Sequence, residues 1–88
     1  MTDTESLIEF PCRFPIKAMG KSSEHFDALI VEIIRRHVGD LSEGAVSSRP
    51  SSNGVYTSVT VVIHAESRGQ LDAIYQDLTA NPAVLMAL

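Results

Sequence analysis

The sequence predicts an α+β domain in which a four-stranded antiparallel sheet carries two helices on one face. Three observations predict it. Residues 55–65 alternate apolar and polar side chains with a period of two, the pattern of a strand with one buried face. Two other segments repeat apolar residues at helical spacing. The remaining apolar stretches are short and bounded by glycine or proline, as strands between turns are.

Residues 1–9 carry Thr2, Asp3, Thr4, Glu5 and Ser6 without a period and read as a flexible leader, followed by a single domain over residues 10–88. Pro11 and Pro15 flank Cys12, Arg13 and Phe14 and hold the chain extended. Phe14, Ile16 and Ala18 then alternate with Pro15, Lys17 and Met19 in a first strand that Gly20 ends. Phe26, Leu29, Ile30, Ile33, Ile34 and His37 form one stripe of a helix. Ser22 or Ser23 is placed to cap it, Glu24 and Asp27 favour its positive end, and Gly39 stops it.

A short strand over residues 45–49 is expected next, with Pro50 marking its end or a sheet edge. In the long strand Val55, Thr57, Val59, Val61, Ile63 and Ala65 share the apolar face, and Tyr56, Ser58, Thr60, Val62 and His64 the other. Ser67 and Gln70 match the S-x-x-Q capping box, and Leu71, Ile74, Tyr75 and Leu78 follow as a second stripe until Asn81-Pro82 breaks it. Residues 84–88, VLMAL, read as a last strand. Strand, helix, strand, strand, helix, strand is the split βαβ, ferredoxin-like order. Right-handed crossovers put its first and third strands in the centre and the other two at the edges.

Bulk composition narrows function further. The 88 residues, 44% hydrophobic and 20% charged, suit one small globular domain. A net charge of −4 disfavours nucleic acid and anionic membrane as partners, and the seven Lys and Arg read as scattered along the chain. Cys12 is the only cysteine, which rules out an internal disulfide and fits a reducing cytoplasm. The polar start is unlike a signal peptide, and nothing nears the roughly 20 apolar residues that cross a bilayer. His25, His37 and His64 are too dispersed for a metal site. No nucleophile, base and orienting group occur together, so neither catalysis nor a cofactor is expected.

EFPCRFPIKAMG (residues 9–20), RPSSNGVYTSVTVVIHA (49–65) and QLDAIYQDL (70–78) resemble, in order and spacing, the YbeD-like family of small bacterial proteins. The resemblance covers residues 7–88. It implies similarity to ferredoxin-like regulatory domains of the ACT type, which bind amino acids or related small molecules and often pair their sheets edge to edge. It also implies a regulatory role, with a proposed link to lipoate metabolism, and no established biochemical activity.

Two loops are candidate ligand sites. In the first, Gly20, Lys21, Ser22 and Ser23 stand between a strand and a helix, where free amides favour an anion; a capped helix start is the alternative. In the second, Arg49, Ser51, Ser52 and Gly54 could cradle a carboxylate or phosphate, or RPSSNG is only a hairpin turn. A third candidate is the outer sheet face, with Lys17, Met19, Tyr56, Val62 and His64, beside a last strand whose edge no charge blunts. The expected function is a regulatory module that binds a small anionic metabolite or modulates a partner enzyme. Its alternative is a ligand-free adaptor working through the outer face and edge strands, as a homodimer or with another protein.

Overall fold

The computed structural model describes residues 9–88. The expected leader therefore lies outside the described residues except for Glu9. The elements are β1 (Cys12–Lys21), α1 (Phe26–Val38), β2 (Val46–Pro50), β3 (Tyr56–Ala65), α2 (Arg68–Ala80) and β4 (Val84–Ala87). The strands form one antiparallel sheet in the order β2-β3-β1-β4. This is the ferredoxin-like fold, with the two long strands central and the two short ones at the edges.

The register of β1 on β3 divides the sheet into two faces. Phe14, Ile16 and Ala18 stand opposite Ile63, Val61 and Val59, and Gly20 opposite Thr57. This inner face meets α1 through Phe26, Ile30, Ile33 and Ile34, and α2 through Leu71, Ile74 and Leu78. Ile16, Ala18, Val59, Val61 and Ala65 are fully buried. Each buried branched side chain contributes on the order of 2 kcal/mol of transfer free energy, so this layer holds the fold together. Cys12 lies at the start of β1, opposite Ala65, with its side chain against the same core.

Four local expectations need correction. The first strand does not end at Gly20 but continues to Lys21. Gly20 is buried within it, where a Cβ would run into the Ala83 carbonyl oxygen and the Phe26 ring. Neither Ser22 nor Ser23 caps α1: His25 holds the N-cap position without a side-chain bond, while the Ser22 and Thr57 hydroxyls share a 2.7 Å hydrogen bond. The capping box of α2 is extended by one residue. Ser67 Oγ accepts from the Gln70 amide at 3.1 Å, but Gln70 Oε1 accepts from Glu66 N–H at 2.8 Å instead of from Ser67. Finally, β3 begins at Tyr56, leaving Val55 exposed in the preceding loop.

Gln70 also ties the helices together. Its Nε2 donates to the His37 carbonyl at 3.1 Å, satisfying one of the acceptors left open at the end of α1. His37 Nε2 lies 2.9 Å from Asp77 Oδ2 on α2. Gly39, at φ 77°, stops α1 as expected.

Pro15 lies inside the central strand β1, where a missing N–H would normally break a ladder. Lys17 N–H donates to the Leu88 carbonyl on the β4 side, and the nitrogen two residues earlier points the same way. Among the described residues β4 reaches no further along β1 than this Lys17–Leu88 pair, so Pro15 deprives none of them of a donor.

Candidate functional site

The two loops predicted as ligand sites adjoin at one end of the sheet, where Ser22 N–H donates to the Val55 carbonyl at 2.9 Å. Their polar groups are largely engaged with one another. In the RPSSNG loop, Ser51 N–H donates to the Tyr56 carbonyl and Gly54 N–H to the Ser51 carbonyl. Ser51 Oγ donates to Asn53 Oδ1 and accepts from Tyr56 N–H, and Val55 N–H donates to the same Asn53 oxygen. Gly54, at φ 75°, makes the reversal that only glycine adopts without strain. The amides of Ser51, Gly54, Val55 and Tyr56 thus all have partners within the hairpin. The hydroxyl-bearing residues Ser23 and Ser52 are exposed.

The cations assigned to the loops lie elsewhere. Lys21 is opposite Tyr56, and Arg49 opposite Ser58. Both positions share the outer face with Lys17, Met19, Val62 and His64, because Arg13, Pro15, Lys17, Met19 and Lys21 pair with His64, Val62, Thr60, Ser58 and Tyr56. One row across the sheet reads Arg49, Ser58, Met19, Met86. The next reads Ser47, Thr60, Lys17, Leu88. Leu88 is 66% exposed, Met86 50% and Tyr56 40%, unusually open for large apolar groups clustered on a small protein. A bulge in β4 between the partners of Met19 and Gly20 leaves Leu85 unpaired and exposed.

The structure therefore gathers Lys17, Met19, Lys21, Arg49, Tyr56, Val62 and His64 on one surface. Gly20 it buries on the opposite face, and Ser22, Ser23, Ser51, Ser52 and Gly54 it leaves in the loops. Met86 and Leu88 were not singled out in the sequence, although the unblunted edge of VLMAL was the signal that could have found them.

A second feature was not read from the sequence. A cleft of about 680 Å³ opens between the 39–45 loop, the end of β3 and the start of α2, and its lining includes Arg13, His37, His64, Glu66 and Gln70. These residues come from three separate stretches of the chain, so no local motif announces them. Among the described residues no group of three or more His, Cys, Asp and Glu could hold a metal ion. No helix among them is long and apolar enough to cross a membrane.

The family described as "Protein of unknown function (DUF493)" matches residues 5–88. The chain belongs to this family. Its relatives carry the name UPF0250 protein, and they are the YbeD-like proteins that the three sequence segments resemble. One, from Paraburkholderia phytofirmans, is 50% identical over 84 residues, covering 96% of this chain and 94% of its own length. Another, from Nitrosomonas europaea, is 46% identical with 96% and 97% coverage. A third, from Neisseria gonorrhoeae, is 43% identical and covers both chains completely. The solution structure of protein HP0495 from Helicobacter pylori superposes with a TM-score of 0.68 at 14% identity, covering 92% of this chain and 85% of that one. At that identity the likeness extends to the ferredoxin-like fold.

Proposed function

We propose that this DUF493 protein is a non-catalytic binding module that docks a partner protein on the outer face of its sheet. The observation that carries the reading is the apolar patch of Met19, Met86 and Leu88, flanked by Tyr56 and Val62, on a face that neither helix covers. Methionine suits such a surface because its flexible, polarisable side chain adapts to a partner's contour. The small-metabolite reading has less support, since the amides and hydroxyl that would hold an anion at residues 51–56 already bond within the hairpin. Modulation of a partner enzyme is one use that a two-layer module with one open face would serve.

Enrichment from extracts of a bacterium carrying a close relative tests this, with wild type and Met86→Asp side by side. A protein retained by wild type and lost by a variant with unchanged melting is expected. Equal retention by both, together with saturable amide shifts at residues 20–23 or 49–54 on adding amino acids, short carboxylic acids or nucleotides, would replace the module with a small-molecule sensor.

A further inference from the structure

The charges of this acidic chain are sorted by face. Of its seven Lys and Arg, three lie on or beside the helices and are paired: Arg35 with Asp40 at 2.8 Å, Arg36 with Glu32 and Asp77, and Arg68 with Asp72. The other four, Arg13, Lys17, Lys21 and Arg49, stand exposed on the outer sheet face, with no ion pair among the described residues. Among the described residues no strand carries an Asp or Glu. At the Arg13 end, Asp40, Glu43 and Glu66 line the cleft with it. The acidic net charge thus conceals a basic face, and the reading of the cations as scattered holds along the chain but not in space.

The cations also border the apolar patch on its β1 and β2 sides, while the β4 edge carries none. Lys17 and Lys21 stand two residues on either side of Met19 along β1, about 13 Å from each other at strand rise. Arg49 flanks Met19 from two strands away, about 10 Å across the sheet. An exposed apolar patch with charged groups along its border suits a protein-docking surface.

Resting on the proposed function, we infer that the docked partner presents an acidic segment: one or two apolar side chains seated on Met19, Met86 and Leu88, with carboxylates reaching Lys17, Lys21 and Arg49. A second copy docked face to face is disfavoured, because an identical cationic face has, among the described residues, no strand carboxylate to meet the three cations. Single-stranded nucleic acid fits less well, since the face offers Tyr56 at one end of β3 and His64 near the other, with no aromatic between them to continue a stacking platform.

The test uses synthetic probes on the full chain, read by amide shifts and by sedimentation. The probes are a peptide alternating Glu with Leu, oligoglutamate, a peptide alternating Lys with Leu, and oligouridylate. Saturable shifts on β1, β3 and β4 with the Glu-Leu peptide are expected. Binding should weaken about 100-fold in Lys17→Glu/Lys21→Glu/Arg49→Glu and fall as salt rises from about 0.05 to about 0.5 M.

Equal binding of oligoglutamate overturns the apolar anchor. Tighter binding of oligouridylate or of the Lys-Leu peptide overturns the acidic protein, and salt-sensitive self-association through this face substitutes a second copy. If no probe binds yet a partner captured by wild type is lost in Met86→Asp, the acidic inference fails and the docking module stands. If the partner is retained, the module itself fails.

Discussion

Ile16 and Lys17 are neighbours in the chain, and the sheet sends them to opposite worlds. Ile16 is sealed beneath two helices with Val61 opposite it, while Lys17 stands in the open beside Thr60 and Leu88. The same two central strands thus build both faces. The inner one is filled by α1 and α2, and the outer one is left with methionines, a leucine and cations that form no ion pair among the described residues. One face is spent on stability and the other is free of that duty, so substitutions on the two should separate cleanly into folding effects and binding effects.

The widest separation is expected between those neighbours. Ile16→Ala should cost about 3–4 kcal/mol in chemical denaturation, through lost burial and the cavity left behind. Lys17→Ala should change stability by less than about 0.5 kcal/mol. Similar values for the two would erase the distinction. Gly20→Ala comes next, at about 3 kcal/mol, because the new methyl meets a backbone carbonyl and the Phe26 ring. Pairing it with Phe26→Leu should recover part of the loss if the ring is the obstacle.

Gln70→Ala, which strips the Glu66 amide and the His37 carbonyl of a partner, should cost about 1–2 kcal/mol and lower hydrogen-exchange protection where the two helix ends meet. The smallest effect belongs to Tyr75. Burial raises its phenol above the ordinary 10.0, so the folded protein holds a proton that the unfolded chain releases. Its contribution is complete below that value and declines as pH rises through it. Tyr75→Phe should therefore lose less stability than wild type between neutral pH and pH 11.

How far each face could be read from the sequence follows from the same division. The inner face was legible because burial imposes a period: two along β3, and three to four along α1 and α2. Its wrong details came from competing partners that only the fold brings near. Ser22 looked like a helix cap until Thr57 appeared across the sheet, and Gly20 looked like a loop glycine until Phe26 took the space of its missing side chain.

The outer face left weaker marks. Tyr56, Val62 and His64 follow the alternation of β3, but Lys17, Lys21 and Arg49 meet only through strand pairing across long separations in the chain. Charge counting along the sequence missed the basic surface for that reason. The cleft at Arg13, His37 and Glu66 has no periodic signal at all.

The most direct test of the two-face division is a methyl spectrum of protein labelled at methionine and isoleucine, recorded in buffer and in extract of a bacterium with a close relative. Met19 and Met86 report the outer face, and Ile16, Ile30 and Ile34 the core. Shifted or broadened Met19 and Met86 signals beside unchanged isoleucines are the predicted result, with the effect suppressed by salt. Unmoved methionines, while the isoleucines or the loop amides respond, would contradict it.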